Sequence, residues 1–480
     1  MTPSSAPPLV VDLDGTLTPT DTLHESLLAM LKQSPMACFR LPMAWLKGRA
    51  AFKAEVGAHV QIDPVRLPYR QELLDYLRSE KAKGRQIVLA TAAHISIAQK
   101  IANHWGFFDK VLATEQGQNL KGDRKLQSIR AHVGDRFTYA GDSRADLPIW
   151  AAATSAILVA ADDRTADQVK RSTVVEKVFP KEKASGKTWL SALRVHQWLK
   201  NLLLFVPLLT AFGGDAAHKF SLMLTAFLAF SLAASGTYIL NDLWDLNSDR
   251  GHPRKCHRPF ASARLPIRQG LWVAAGALGA GGMLSASISF EFSLVLTLYV
   301  VFTTAYSWVL KSYALIDVLS LSVLYTLRIF AGAVAASVAV SSWLMAFSVF
   351  IFLSLALVKR CAELVSLQKT GTQSAQGRDY LVDDLLILWP MGVGAALSAV
   401  VVFGLFTSAP ETQARYASPQ LLWLVAMGLL YWLGRLWLTT SRGDMHDDPL
   451  VYAMKDRASL MTGVFLILIL IIARTQQFGF

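Results

Sequence analysis

Cysteine is almost missing from this chain: Cys38, Cys256 and Cys361 are the only three in 480 residues, and they stand far apart. That scarcity excludes a disulfide framework, and the spacing excludes a zinc-binding cluster. Charge is thin as well, at 17% of residues against 53% hydrophobic. So greasy a composition does not suit an ordinary soluble protein, and a membrane portion is expected. Met1 to Pro8 is short and polar rather than a cleavable leader, so the N-terminal domain is expected to stay in the cytoplasm. Acidic residues are outnumbered 35 to 47, for a net charge of +12. The basic excess falls largely between apolar runs, where it reports topology and attraction to anionic lipid or phosphate; nucleic acid is not an expected partner.

The grease is unevenly spread. Residues 1–190 mix charge and apolar side chains normally, whereas 198–475 carry repeated long apolar runs. The expected division is a soluble domain at 1–180, a polar, basic linker at 181–190 and a polytopic membrane domain at 191–480. In the first part, Leu9-Val10-Val11 leads into Asp12-Leu13-Asp14-Gly15-Thr16, an apolar strand ending in two carboxylates and a glycine turn. A second strand, 86–90, ends at Thr91, and a third, 137–140, ends at Gly141-Asp142-Ser143-Arg144-Ala145-Asp146. Between them, Lys121 and Lys125 stand at the start of a helix. Strand ends are where an open α/β sheet places its chemistry.

These four ordered motifs resemble those of the haloacid dehalogenase superfamily, over roughly residues 9–175. The resemblance implies a Rossmann-like α/β domain in which Asp12 is the nucleophile that takes a phosphoryl group and Asp14 the acid that protonates the leaving alcohol. Asp142 and Asp146 would hold Mg²⁺ alongside Asp12, while Thr91 and Lys125 would bind the phosphoryl oxygens, with Lys121 as the rival lysine. About seventy residues separate Asp14 from Thr91, and their helical pattern suggests a small cap. Within it, Phe39, Trp45 and Phe52 lie among Arg40, Lys47, Arg49 and Lys53, a mixture that suits either a membrane surface or a helix packed on its own domain.

Nine apolar runs between 199 and 473 read as membrane spans, the first and last of them short. With residue 190 inside, basic residues gather in 241–268, at Lys311, and in 359–384 and 439–458, while loops on the opposite side hold only Lys219 and Arg415. The positive-inside rule therefore supports nine spans in an inner membrane, with every polar cluster on the cytoplasmic face. The richest cluster is Asn241-Asp242-Leu243-Trp244-Asp245-Leu246-Asn247-Ser248-Asp249. On a helix, Asp242, Asp245 and Asp249 share one face, and three carboxylates on one stripe suit Mg²⁺ carrying a diphosphate. Farther on, His446 stands beside three acids and could in principle bind metal, although a solvated histidine is the plainer reading.

The segment resembles the first signature of the UbiA superfamily of intramembrane prenyltransferases, over about 190–475. Asp249-Arg250-x-His252-Pro253-x-Lys255-x-x-Arg258-Pro259, the entry sequence Arg194-x-x-Gln197-Trp198-x-Lys200-Asn201, and Tyr306-Ser307-x-x-Leu310-Lys311 resemble decaprenyl-phosphate phosphoribosyltransferases more than quinone-pathway members. Of a second Asp-x-x-x-Asp pair only Asp317 remains, with Leu321 in the other place; Cys256, His257 and Ala263 also depart from the closer pattern. The resemblance implies transfer of 5-phosphoribose from phosphoribosyl pyrophosphate to a polyprenyl phosphate. Asn241, Lys200, Arg258, Lys311 and Arg328 are the expected substrate contacts. Arg328 lies inside a span, where a charge is costly; it faces the cavity or pairs with a carboxylate such as Asp317. The competing enzyme reading joins a polyprenyl diphosphate to an aromatic or other small acceptor, and the competing reading of the N-terminal domain is a binding module.

Overall fold

The computed structural model describes residues 6–477 apart from 116–118, 182–184, 211–215, 340, 372–377, 415 and 446–447. His446 and part of the expected linker lie outside the described residues. The chain forms two compact units: Met1–Leu193 together with Tyr238–Ala275, and Arg194–Thr237 together with Gly276–Phe480.

The first unit is built on a six-stranded parallel sheet, β1 (Leu9–Val11), β2 (Ile87–His94), β3 (Lys110–Thr114), β4 (Thr138–Gly141), β5 (Ser155–Val159) and β6 (Val175–Phe179), in the order β3-β2-β1-β4-β5-β6. Leu9, Val10 and Val11 are completely buried, because helices cover both faces of a parallel sheet and its central strand has no polar side. The chain leaves β1 toward β2 and β3, then crosses to β4 on the other side. The strand order therefore reverses beside β1, and Asp12 stands at that switch point. Arg85 fastens the amino ends of the strands, opposite the site, with its guanidinium donating to Glu80, Glu176 and the Thr138 hydroxyl.

The cap follows Asp14 as helices Thr22–Gln33, Leu41–Leu46 and Arg49–His59, with a tight helical turn at Pro35–Arg40. Asp21 starts the first of these by accepting the Leu23 and His24 amides. Met30, Ala37, Val56 and Val60 give the cap its own small core. Ile239, Leu243, Leu246, Phe260, Leu265 and Ile267 form a further apolar cluster of this unit, packed against Leu28 of the first cap helix. The same segment carries Arg250, whose guanidinium donates two bonds to Glu25 at 2.6 and 3.1 Å, with both side chains 6% exposed. Losing one member of such a pair strands a buried charge. Arg250→Ala should therefore destabilise this unit by about 3–5 kcal/mol in chemical denaturation, and Glu25→Leu with Arg250→Met should recover most of that loss.

The second unit is helical. Across the chain, seven helices among the described residues are long and apolar enough to cross a membrane: Lys219–Trp244, Phe290–Trp308, Ile316–Ala335, Ser342–Lys369, Val382–Ser408, Pro419–Arg442 and Arg457–Thr475. Nine spans are thus not established. The 270–290 run does form a helix, Ile267–Ala286, but five glycines, Arg268 and Gln269 dilute its apolar content. The 199–212 run is split into a tight helical stretch, Val195–Phe205, and the short helix Val206–Thr210. That stretch packs closely on Ile316–Ala335: a β-carbon at Gly332 would fall 1.9 Å from the Leu204 carbonyl oxygen.

Candidate functional site

At the carboxyl ends of β1 and β4, carboxylate oxygens of Asp12, Asp142 and Asp146 come within 4.8 Å of one another. Lys125, 3% exposed, reaches into the group, with its Nζ 2.9 Å from Asp12 Oδ1, 2.6 Å from the Tyr139 hydroxyl and 3.9 Å from Asp146 Oδ1. Lys121 is exposed, so the buried lysine position belongs to Lys125. Asp146 is oriented by the Tyr139 hydroxyl and by the amide and hydroxyl of Ser143, which it accepts in a helix-capping arrangement. Asp14 accepts the Thr22 amide at 2.8 Å, which ties the proposed acid to the first cap helix. Thr91 is fully buried, and its hydroxyl accepts the Ala93 amide.

Burial raises the Asp12 carboxyl to about 6 despite Lys125 beside it, and raises Asp14 and Asp142 to about 7. Hard oxygen donors crowded together with one lysine among them fit a divalent cation such as Mg²⁺. Gly15 keeps the cradle open: its φ is +78°, and a β-carbon there would lie 2.2 Å from Asp142 Oδ2. Gly15→Ala should push Asp142 aside and weaken Mg²⁺ binding by this cluster at least about tenfold, checked by calorimetry.

The cap supplies a residue, Lys53, that the sequence placed either on a membrane surface or in a helix packed on its own domain. Lys53 is turned inward, donating to the Ala92 carbonyl at 2.6 Å and the Asn119 side chain at 2.9 Å. Trp45 and Phe52 meet edge to face at 5.4 Å, and both line a cavity of about 620 Å³ with Asp12, Asp14 and Lys53. Phe39, Met36 and Leu46 are more than four-fifths exposed.

In the same unit, the aspartate stripe takes a specific form. The helix ending at Trp244 gives way at Asp245 to a short helix, Leu246–Arg250, while the i to i+4 amide bonds from Asp245 to Asn241 and from Asp249 to Asp245 persist. Asp242 and Asp249 are buried, and Arg258 Nη1 bridges them at 3.2 and 2.6 Å. Arg258, expected at a substrate phosphate, is thus the counter-ion of two of the three carboxylates. Asn241 Oδ1 is buried with no hydrogen-bond partner, which leaves it able to accept from a donor or to ligate a cation beside the stripe.

Other expected contacts belong to the second unit. Lys200 and Lys359 share the Asp448 carboxylate at 2.9 and 3.2 Å, and Lys200 also lies over the Tyr325 ring. Arg328 is 5% exposed and donates to Asn201, the Leu324 carbonyl and the Tyr299 hydroxyl. Its partner is not Asp317, which is held by Arg360 and the Tyr306 hydroxyl. Lys311 sits half-buried in the turn Leu310–Ser312. The Lys359–Asp448 pair carried no sequence signal beyond polarity in a greasy region.

Comparison with known proteins follows the same division. The UbiA prenyltransferase family profile matches residues 202–470, and the haloacid dehalogenase-like hydrolase profile matches 9–150. An uncharacterized protein of Sinorhizobium fredii is 39% identical over 96% of this chain and 89% of its own length. The nodulation protein NoeC of Azorhizobium caulinodans is 37% identical over 61% of this chain and 96% of its own. The decaprenyl-phosphate phosphoribosyltransferase of Mycolicibacterium smegmatis is 34% identical over 47% of this chain and 71% of its own. With apolar helices for several membrane crossings and a parallel-sheet domain before them, the chain is a multi-pass membrane protein of the UbiA prenyltransferase family that carries a haloacid dehalogenase-like domain at its N-terminus.

Proposed function

We propose that the protein transfers 5-phosphoribose from phosphoribosyl pyrophosphate to a polyprenyl phosphate, and that its N-terminal domain then removes the 5-phosphate. The observation that carries the first half is the aspartate stripe, with Asp242 and Asp249 buried, together with Leu321 where a second carboxylate pair would be completed. Likeness to phosphoribosyltransferases such as that of Mycolicibacterium smegmatis supports the choice of donor. Asp242, Asp245 and Asp249 would hold Mg²⁺ for the donor's diphosphate, and Asp12, Asp142 and Asp146 would hold it for the phosphomonoester; in both places the ion neutralises phosphate charge. Lys200, Lys311 and Arg328 are assigned to phosphate oxygens of the substrates. An oxygen of the lipid phosphate attacks ribose C1 as the C1–O bond to pyrophosphate breaks. The attacking phosphate is already an anion, so no strong general base is required.

In the second reaction an Asp12 carboxylate oxygen attacks phosphorus while the bond to the ribose 5-oxygen breaks. Asp14 gives that oxygen its proton, which suits a carboxyl raised to about 7 by burial. Water then hydrolyses the aspartyl phosphate and releases inorganic phosphate. Carrying both activities on one chain raises the effective concentration of the intermediate for the second step. The distribution of Lys and Arg supports a cytoplasmic setting for both reactions in an inner membrane. The test is to incubate purified protein with ribose-labelled phosphoribosyl pyrophosphate and polyprenyl phosphates of several lengths. Label should enter the lipid fraction only when Mg²⁺ is present. Reaction of a polyprenyl diphosphate with an aromatic acid instead, with no use of phosphoribosyl pyrophosphate, would overturn the assignment.

A further inference from the structure

The cavity over Asp12 and Asp14 has a wall that neither the sheet loops nor the cap provides. Leu265, Pro266, Ile267 and Arg268 line it, although they follow the aspartate segment and lie within the stretch matched by the UbiA family. This wall is built into the unit. Leu265 and Ile267 are 1% and 5% exposed in an apolar cluster that packs on Leu28 of the first cap helix. Four residues earlier, the Ala261 carbonyl accepts Arg250 Nε, and that same guanidinium holds the buried Glu25. The segment is thereby fastened to the cap by a charge pair as well as by apolar burial.

A phosphoryl group alone needs little of this space. The volume, about 620 Å³, lies in the range of pockets that enclose a whole organic ligand. Two kinds of surface surround the room left beyond the carboxylates. Trp45 and Phe52 offer aromatic faces from the cap. Lys53 and Arg268 offer cations from distant parts of the sequence, separate from Lys125 at the nucleophile. Asp14, the proposed leaving-group acid, lines the same cavity as both cations. A leaving group with its own negative charge and an apolar extension is complementary to such a surface.

We propose that residues 265–268 complete the phosphatase pocket, and that this pocket selects a phosphomonoester whose leaving group carries a phosphodiester attached to an apolar chain. Lys53 and Arg268 meet the phosphodiester, and Trp45 and Phe52 take the first units of the chain. The inference rests on the phosphatase reading of Asp12 and Asp14 and deepens it by naming the residues that recognise the lipid-linked sugar phosphate. A transferase segment thus shapes the specificity of the hydrolase.

The test uses the full-length protein in lipid nanodiscs and three probes: ribose 5-phosphate, its 1-(methyl phosphodiester) and its 1-(farnesyl phosphodiester). Wild-type kcat/KM should rise at each step, to at least about a hundredfold overall, the scale that two added recognition elements provide. Arg268→Ala should cut the advantage of both diesters over ribose 5-phosphate about tenfold, with part restored in Arg268→Lys. Trp45→Ser should reduce only the farnesyl-over-methyl ratio. Equal kcat/KM for the three probes in wild type, or ratios unchanged in both variants, overturns the proposal. Binding to Asp12→Asn, measured by calorimetry, separates the two readings. If no probe is hydrolysed, yet the farnesyl diester binds more tightly than ribose 5-phosphate and Arg268→Ala erases the difference, the pocket assignment stands and the hydrolytic one falls. Equal binding ends the pocket assignment.

Discussion

Asp12→Asn should cause a lipid bearing 5-phosphoribose to accumulate in place of its dephosphorylated product, with hydrolysis reduced at least about a thousandfold and the rate of lipid ribosylation unchanged. The side chain keeps its shape but loses the charge proposed to attack phosphorus. The fold should survive, because Lys125 retains the Tyr139 hydroxyl at 2.6 Å and Asp146 at 3.9 Å. Mass spectrometry of lipid extracts reads the ratio of the two products directly. Membranes free of other phosphatases are required, since a background enzyme would hide the block. The same ratio from wild type and variant in that background would remove the coupled pathway.

Asp242→Asn or Asp245→Asn should lower Mg²⁺-dependent formation of the lipid product at least about a hundredfold, the scale expected when charge stabilisation of a departing diphosphate is lost. The two variants probe different things. Asp242 is 3% exposed and shares the Arg258 guanidinium, so its loss leaves that cation on Asp249 at 2.6 Å. Asp245 is only half-buried, and its replacement removes the middle carboxylate of the stripe. Labelled ribose in the lipid fraction is the readout, alongside a thermal melt to show that each variant is folded. Full activity in both variants would take the metal role away from the stripe.

Much of the first unit was legible because its signals are local. A central strand of a parallel sheet is apolar on both faces, so Leu9-Val10-Val11 announced itself, and Asp12 had to fall at its end. The expected strands at 86–90 and 137–140 agree closely with β2 and β4; β2 runs on past Thr91 to His94, where pairing with β3 shifts register. Hydropathy likewise located the long apolar helices, since a span must bury its backbone hydrogen bonds within itself. Two of its nine runs do not meet that length and apolarity among the described residues: glycine dilutes the apolar face of Ile267–Ala286, and the chain at Val195–Thr210 tightens into short helical stretches. Lys121 stayed a rival to the preferred Lys125 in sequence, because both stand near the same helix start, and burial separates them.

The sequence by itself determined the order of the strands' chemistry, the apolar helices, the family and the identities of the acids and cations available. Tertiary structure alone decided which of them meet. Glu25 and Arg250 are separated by 225 residues, yet they form a buried pair. Arg258 clasps Asp242 and Asp249 instead of standing apart from them, Arg328 takes Asn201 and Tyr299, and Asp317 goes to Arg360. Periodicity and motif spacing are properties of neighbouring residues, set by backbone geometry within a few turns. A buried charge instead takes whichever partner the packing brings within hydrogen-bond reach, and that choice is made by the whole fold.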